Sequence, residues 1–186
     1  MDERYKKDSR GHSRFAFGII TLMHDNPLLP HLIDAQRLLK DAGLKSGDKV
    51  LEVGCGPGFF TLPAAEIVGD KGILYAVDVH PRAIEKVRKK IEEKGISNVR
   101  PLLRNAADTG LTDGSVDAVF MFGLPYIVGG QEKVLNEMRR ILKPGGVLSY
   151  KKTRGSEKTL IEDMEKVGMI CSGKKGRILL FKKTGH

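Results

Sequence analysis

Three glycines and a carboxylate lie close together after the first short apolar strand of the chain. Gly54, Gly56 and Gly58 occupy alternate positions just after Glu52. The absence of three side chains lets a ligand touch the main chain, and the following helix offers free N–H groups to a polar ligand. Glu52 adds a fixed negative charge, which disfavours a phosphate and favours a cation. The loop therefore predicts a site for a polar, positively charged ligand.

A second carboxylate follows the next strand, because Asp78 comes 20 residues after Gly58. A carboxylate suits a vicinal diol, so Asp78 is placed to accept hydrogen bonds from both hydroxyls of a ribose. The alternative is a structural role, in which Asp78 caps the helix that begins at Pro81. Strand, glycine loop and acid occur together, which favours ribose binding.

Dinucleotide-dependent dehydrogenases use similar elements, and the glycine spacing discriminates against them. Their fingerprint is G-x-G-x-x-G, whereas this chain has G-x-G-x-G and places Phe59 at the sixth position. The loop also has no basic side chain that would compensate the charge of a pyrophosphate. These details argue against a nicotinamide cofactor.

The elements that must position these residues alternate between strands and helices. Such alternation requires crossover connections, and hence a mostly parallel sheet with helices on both faces. Ligands bind such sheets beyond the carboxyl ends of the strands, where the strand order reverses. Apolar periodicity and Gly/Pro signals predict helices over 34–44, 59–68, 81–94, 132–142 and 157–167, and strands over 49–53, 73–77, 99–103, 116–122 and 147–150.

Two glycine-containing segments are predicted to end elements near the C-terminus. Lys143-Pro144-Gly145-Gly146 is expected to close the fourth helix. Further on, short apolar runs over 169–171 and 178–181 flank the segment Gly173 to Gly176, which predicts a hairpin turn. The expected plan is therefore strand–helix alternation followed by a terminal hairpin.

Four segments match the motifs of a known enzyme family in order and spacing: VLEVGCGPGFFT (50–61), AVDVHPRAI (76–84), RNAADTGLTDGSVDAVFMFG (104–123) and RRILKPGGVLSY (139–150). They resemble the class I S-adenosylmethionine-dependent methyltransferases, closely over residues 44–150 and more loosely over the hairpin. The resemblance implies an α/β, Rossmann-like, doubly wound sheet of seven strands, mostly parallel, with an antiparallel last strand in the C-terminal hairpin. It also implies S-adenosyl-L-methionine as the cofactor. No metal is expected, because Cys55 and Cys171 lie far apart without the spacing of metal ligands.

Residues 1–14 are polar and charged and are expected to form a mobile basic arm, and residues 15–186 are expected to form a single methyltransferase domain. Within that domain, residues 15–44 would form N-terminal cap helices and residues 45–150 the cofactor-binding core. Residues 151–186 would supply the last helix and the hairpin.

The resemblance assigns the loop after the first strand to the methionine part of the cofactor. Gly54, Gly56 and Gly58 would line this part, with Cys55 in the same loop. Glu52 would support the ammonium group, directly or through water. Cys55 is a small neutral side chain, so packing is expected of it rather than covalent chemistry.

The next three strands would contact the adenosine and the methyl group. Asp78 would bind the ribose, and Val79 would pack on the adenine. Asn105, before Ala106, stands where the family often has an acid for the adenine amino group, and an Asn carbonyl can accept the same hydrogen bond without a charge. Phe122, after the fourth strand, would border the methyl group.

The motifs leave the catalytic residues open. A general base is needed only if the acceptor is protonated, because the cofactor methyl is already activated. His24 in the N-terminal segment is a candidate base, and Tyr126 is a candidate cover for the site, with a surface turn and plain packing as the respective alternatives. Gly-Leu-Pro-Tyr at 123–126 lacks the first polar residue typical of enzymes that methylate exocyclic amines of bases, which argues against that acceptor.

The net charge of +9 is concentrated at the C-terminal end. Residues 150–186 carry ten Lys or Arg against four acids, and Lys151, Lys152 and Arg154 directly follow the fifth strand. Such a segment is a solvated surface, a site for an anionic small substrate or a nucleic-acid contact. Aromatic residues do not alternate with the basic ones, which argues against a single-strand binder.

Three functions stay open. The favoured one is methyl transfer from the cofactor to a small-molecule acceptor by in-line displacement, because one helix and a hairpin follow residue 150 and add no recognition domain. The alternatives are a tRNA or rRNA methyltransferase and a non-catalytic cofactor-binding subunit of a methyltransferase complex. The two cysteines are far apart and the longest N-terminal apolar run, residues 15–23, is too short for a membrane span, so a cytoplasmic location is expected.

Overall fold

The computed structural model describes residues 34–124, 127–152 and 155–184. The chain divides into two compact units, Met1–Asp34 and Ala35–His186, and the described elements belong to the second unit. The predicted arm over residues 1–14 lies outside the described residues, as do the predicted cap helices before residue 34. The division at residue 15 stays a prediction.

Strands and helices alternate along the described residues, as the sequence predicts, except that no helix lies between β3 and β4 or within the C-terminal hairpin. The strands are β1 (Lys49–Val53), β2 (Ile73–Asp78), β3 (Val99–Leu103), β4 (Val116–Phe122), β5 (Leu142–Lys151), β6 (Met169–Lys175) and β7 (Ile178–Lys183). The described helices are α1 (Ala35–Asp41), α2 (Thr61–Val68), α3 (Pro81–Glu93), α4 (Gln131–Ile141) and α5 (Glu157–Lys166).

The seven strands form one sheet in the order β3-β2-β1-β4-β5-β7-β6. The neighbours among β1 to β5 are parallel, whereas β7 is antiparallel to both β5 and β6. A two-residue connection joins only antiparallel strands, while a helical crossover returns the chain parallel. The predicted fold, a mostly parallel doubly wound sheet with an antiparallel last strand, is confirmed.

Apolar side chains fill both faces of the sheet. Successive residues of a strand point to opposite faces, so Leu51 joins the core under α4 and α5, whereas Val50 joins the core under α1, α2 and α3. In β4, Val119 and Phe120 divide in the same way. Burial on both faces is typical of parallel strands, and it leaves the strand ends as the accessible part of the sheet.

The end of α4 differs from the sequence prediction. The predicted helix closure at residues 143–146 lies inside β5, which begins at Leu142 and shifts register before Val147. The last carbonyls of α4 accept hydrogen bonds from the amides of Gly114 and Ser115, so the chain enters the sheet directly after the helix. Proline and glycine therefore make an irregular start to a strand here.

The hairpin turn lies further along the chain than predicted. β6 continues to Lys175, which pairs with Ile178, so the turn consists of Gly176 and Arg177 alone. Gly176 has a φ of +56°, and a positive φ at the first of two loop residues favours glycine. Gly173, predicted to lie in the turn, lies at a register shift of β6.

Candidate functional site

The carboxyl ends of β1 to β5 lie at one edge of the sheet, because these five strands are parallel. β1 lies between β2 and β4. The chain therefore adds β2 and β3 on one side of β1, and then adds β4 and the later strands on its other side. Parallel sheets bind ligands at this reversal point. We call this edge, formed by the residues after β1 to β5, the switch edge.

Main-chain hydrogen bonds hold the glycine loop at the switch edge against β2. The amides of Gly54 and Cys55 both donate to the carbonyl of Val77, over 2.8 and 3.1 Å. The amide of Gly58 donates to the carbonyl of Cys55 over 3.0 Å and closes the turn. These bonds place the loop directly beside the residue that ends β2, Asp78.

The three glycines of the loop face different surroundings. A Cβ on Gly56, which has a φ of +52°, would meet no protein atom within 4 Å. A Cβ on Gly58 would lie 3.3 Å from Val87 of α3, and one on Gly54 would collide with Leu124. Gly56 therefore leaves open space for a ligand, whereas Gly58 allows a helix to pack closely.

Asp78 connects the glycine loop to the start of α3. The amide of Gly56 donates to its Oδ2 over 2.9 Å, and the amide of His80 donates to its Oδ1 over 2.8 Å. Each carboxylate oxygen keeps a lone pair for a further donor. Burial raises the pKa of Asp78, and the two amides partly oppose this shift.

The N-cap residue of α3 is His80, and Asp78 supports the helix start through the amide of His80 rather than as the cap itself. The Nδ1 of His80 accepts a hydrogen bond of 3.2 Å from the amide of Arg82, and Pro81 follows at the first helical position. Asp78 thus has a structural role between the glycine loop and α3, and its remaining lone pairs are open to a further donor.

Glu52 is buried in β1, with 2% of its surface exposed. The hydroxyl of Thr61 in α2 donates to its Oε2 over 2.6 Å, and it is the one hydrogen-bond donor recorded for this carboxyl among the described residues. Burial raises the pKa of Glu52 to about 8; the Thr61 bond opposes this rise, and the charge of Asp78 adds to it. The carboxyl therefore carries a proton at neutral pH, and a nearby cation is needed to restore the negative charge expected from the sequence.

Asn105 follows β3 and folds into a local turn. The amide of Ala107 donates to its Oδ1 over 2.8 Å, and Asn105 also forms an isolated bridge with Asp108. The side-chain oxygen predicted to accept from adenine thus has one donor already and room for a second. Ala106 is buried, and Val79 is half-buried after β2.

Two predicted contact residues place their side chains in the core. Phe122 packs edge-on against Phe60, with ring centroids 5.5 Å apart. Cys55 is buried, and burial raises the pKa of its thiol, with a further rise from the charges of Glu52 and Asp78. Ligand contacts at Phe122 and Cys55 are therefore expected mainly from the main chain.

The candidate base His24 and the candidate cover Tyr126 lie outside the described residues. Sequence reasoning gave no role to Thr61, although this residue ends the first motif segment. The relevant signal is a hydroxyl nine positions after Glu52, at the start of the helix that covers β1.

A second feature missed from the sequence is a partly buried ion pair between Glu137 and Arg140, which shapes the segment between β3 and β4. Glu137 accepts hydrogen bonds from the Thr109 hydroxyl over 2.6 Å and from Arg140 over 2.7 and 2.8 Å. Burial alone would raise the pKa of Glu137, but these bonds outweigh burial and lower it. Arg140 also contacts Asp113, so the pair anchors the segment after Asn105 to α4.

Known proteins share both the motifs and the fold of this chain. The family model described as "Methyltransferase domain" matches residues 44–178. The chain belongs to the class I S-adenosylmethionine-dependent methyltransferases. It is similar to the crystal structure of a SAM-dependent methyltransferase from Aquifex aeolicus, with 29% identity and a TM-score of 0.72, over 85% of this chain and 92% of that chain. The resemblance and the cofactor, S-adenosyl-L-methionine, are confirmed.

Two curated relatives carry names that include a methyl acceptor. The chain is 32% identical over 119 residues to the aklanonic acid methyltransferase DauC of Streptomyces sp. (strain C5), covering 62% of this chain and 52% of that protein. It is 33% identical over 118 residues to the demethylmenaquinone methyltransferase of Geobacillus stearothermophilus, covering 63% and 50%. The chain thus spans about half the length of the curated relatives it matches.

The switch edge fits this cofactor. A ribose needs acceptors for two hydroxyls, and Asp78 has one lone pair left on each oxygen. A side chain at Gly56 would fill the open space beside that carboxylate. A cationic amino group needs a carboxylate, and Glu52 is a buried one with a single donor recorded in the described residues.

Within the described ranges, no helix combines the length and the apolar character that a membrane span requires. The same residues contain no group of three or more His, Cys, Asp or Glu arranged to hold a metal ion. The cytoplasmic location stays a prediction.

Proposed function

We propose that this chain transfers a methyl group from S-adenosyl-L-methionine to a small-molecule acceptor by in-line displacement. The observation that carries the proposal is the 2.9 Å hydrogen bond from the Gly56 amide to Asp78. It joins a loop with open space beside it to a carboxylate with free lone pairs, at the point where the strand order reverses. The buried carboxyl of Glu52 belongs to the same loop motif.

Each residue has its own task in this proposal. Asp78 accepts the two ribose hydroxyls, while the amides of Gly56 and His80 hold its carboxylate in place. Glu52 gives up its proton to the solvent and binds the ammonium group, and Thr61 orients the carboxylate. The cofactor supplies a methyl group already activated on a sulfonium. The protein has to align the acceptor, and alignment alone lowers the barrier by about 7–11 kcal/mol.

The names of the two curated relatives support a small-molecule acceptor, because aklanonic acid and demethylmenaquinone are small molecules. The basic residues after β5 favour an acceptor that carries a negative charge. In this proposal His24 stays the candidate base and Tyr126 the candidate cover on the acceptor side, each tested by substitution with Phe once the acceptor is found.

Methylation of tRNA or rRNA is the second candidate, supported by the ten Lys or Arg among residues 150–186. Phosphate contacts would make binding fall steeply with salt concentration. A non-catalytic cofactor-binding subunit is the third candidate, and it requires cofactor binding without turnover until a partner is added.

Calorimetry with S-adenosyl-L-methionine and with its demethylated product tests the site. We expect Asp78→Asn to weaken binding at least tenfold, because two hydrogen bonds to a charged group, each worth about 1.5–3 kcal/mol, lose strength. Asp117→Asn is the matched control: Asp117 lies at the opposite edge of the sheet, where it accepts hydrogen bonds from Lys49 and Lys143. The affinity of Asp117→Asn for the cofactor should stay within twofold of the wild type. If the wild type binds neither the cofactor nor its demethylated product, the proposal is refuted.

A transfer assay with labelled methyl groups identifies the acceptor class. Cell extract is divided into small metabolites, RNA and protein, and each fraction is incubated with the enzyme. Label in the small-metabolite fraction supports the proposal, and label in RNA supports the second candidate instead. Cofactor binding without label in any fraction supports the non-catalytic subunit.

A further inference from the structure

Strand β7 brings a second basic residue to the part of the switch edge formed by the end of β5 and the turn before β7, on the far side of β4 from the glycine loop, which we call the acceptor side. Lys151 is the last residue of β5 and pairs with Phe122 at the end of β4. Tyr150 pairs with Leu179, so the residue before Ile178 lies at the same edge. That residue is Arg177, in the hairpin turn, and its charge acts on Lys151.

These two cations lack a counterion in the described residues. Among the described residues, the side chains of Lys151 and Arg177 make no hydrogen bond or ion pair, and no acid acts on the pKa of Lys151. Glu157, the first acid after β5, pairs with Lys174 at 2.7 Å instead. Lys152 also has a partner, because its ammonium donates to the carbonyl of Ser156 over 2.9 Å.

The surroundings of Lys151 disfavour its charged form. The side chain is partly buried, and burial, followed by the charge of Arg177, lowers the pKa of Lys151. Like charges that are close together without an acid repel each other, and an anion between them would remove that repulsion. Arg177 is exposed, so such an anion can reach the pair from solvent.

The charges along the switch edge are thereby separated. The carboxyl groups of Glu52 and Asp78 lie at the ends of β1 and β2, on the cofactor side. Lys151 and Arg177 lie at β5 and β7, on the far side of β4. Adjacent strands are about 4.8 Å apart, so β5 lies roughly 10 Å from β1. An acceptor whose acidic group is bound by Lys151 and Arg177 and whose reacting atom meets the cofactor would carry that acidic group several bonds from the atom that is methylated.

We propose that Lys151 and Arg177 form an anion subsite that binds a carboxylate or phosphate group of the methyl acceptor. That the anion belongs to a methyl acceptor rests on the proposed function, whereas the subsite itself rests on the register of β4, β5 and β7. The lysine acts as a compact charge, and the guanidinium of Arg177 can bind an oxyanion through two parallel hydrogen bonds.

Titration with small anions, followed by amide chemical shifts of residues 150–152 and 176–178, tests the subsite. The probes are benzoate, inorganic phosphate and the neutral analogue benzamide, each added to the full chain. We expect benzoate or phosphate to shift these signals and benzamide to leave them unchanged. Whichever of the two anions binds with higher affinity indicates whether the acidic group of the acceptor is a carboxylate or a phosphate. Equal shifts with benzamide would overturn the subsite.

Three variants with the same change of charge locate the site. Lys151→Met and Arg177→Met should each weaken anion binding at least tenfold. Lys182→Met is the control, because Lys182 is exposed on β7 and pairs with Val147, near the other edge of the sheet. Binding in this control should stay within twofold of the wild type. An equal loss in all three variants, with the anions or with a 20-nucleotide RNA, would indicate general attraction to the basic segment and refute the subsite.

Calorimetry with the cofactor separates this inference from the proposed function. Lys151→Met should keep the wild-type affinity for S-adenosyl-L-methionine within twofold, because the residue lies on the acceptor side. If the wild type binds no cofactor, the proposed function fails, and the acceptor role of the subsite fails with it. If the cofactor binds and the anions do not depend on Lys151 or Arg177, the subsite alone is refuted.

Discussion

Replacing Glu52 by Gln is expected to stabilise the folded chain at neutral pH. The carboxyl is 2% exposed and accepts one recorded hydrogen bond, from Thr61. A glutamine has nearly the same shape, carries no charge at any pH and keeps an oxygen that can accept the Thr61 hydroxyl. The substitution therefore removes the titration of Glu52 and retains its packing.

The size of this stabilisation follows from the pKa of Glu52 in the unfolded and in the folded state. In the unfolded chain the carboxyl ionises near 4.5, whereas the folded state keeps the proton until a pKa of about 8. The folded state thus binds more protons between these values, and its stability falls as the pH rises through this interval. At 1.36 kcal/mol for each pH unit, the loss is about 3 kcal/mol at pH 7 and about 5 kcal/mol above pH 9.

Urea denaturation at pH 5, 7 and 9 measures this effect. The free energy of unfolding of Glu52→Gln minus that of the wild type should increase by about 4 kcal/mol between pH 5 and pH 9. Other titrating groups are shared by both proteins and cancel in the difference. A difference that stays constant across this range would show that Glu52 ionises normally and would refute the reasoning.

Three further variants test the glycine loop, the ion pair between Glu137 and Arg140, and the sheet. Gly56→Ala should cost about 1–2 kcal/mol of stability because of its positive φ, yet weaken cofactor binding at least tenfold in calorimetry; unchanged affinity would place the cofactor elsewhere. Glu137→Gln loses the charge that binds Arg140 and should lower the free energy of unfolding by about 1.5–3 kcal/mol in urea. Gly72→Ala would push its Cβ into the carbonyl oxygen of Asp48 and should lower the melting temperature, at a cost of about 1–3 kcal/mol.

The parallel part of the sheet could be predicted because each strand has its own signal in the local sequence. A short apolar run ends in a turn, and, except after β3, a helix with its own start and stop signals follows. In α3, for example, Pro81 begins the helix and Gly95 follows its end. The glycine loop and Asp78 then fall at the switch edge by topology alone, whatever the details of packing.

The errors lie where local signals compete with strand pairing. Gly173 and Gly176 both favour a turn, and only the pairing of Lys175 with Ile178 selects the second glycine. Residues 143–146 contain proline and two glycines, yet the pairing of Leu142 with Val116 draws the chain into β5. Such choices depend on contacts between residues distant in sequence, which the local pattern does not contain.

The charge state of Glu52 could not be predicted for a related reason. The motif identifies the carboxyl and its position, but its pKa depends on how completely α2 and the neighbouring strands cover it. Thr61 acquires its role in the same way, because a hydroxyl at a helix start has many uses until a buried acid lies beside it. Burial in three dimensions therefore decides the electrostatics of a motif that the sequence locates correctly.

The direction of β7 determines which of its residues lie at the switch edge. Because β7 is antiparallel to β5, its first residues lie at the switch edge, and the hairpin turn brings Arg177 beside the end of β5. A parallel β7 would place Lys183 there and the turn at the opposite edge. The strand that departs from the parallel pattern is thus the one that adds a charge to the far side of the site. Changes in the turn between β6 and β7 are therefore expected to alter the choice of acceptor while the cofactor side, built by β1 and β2, stays intact.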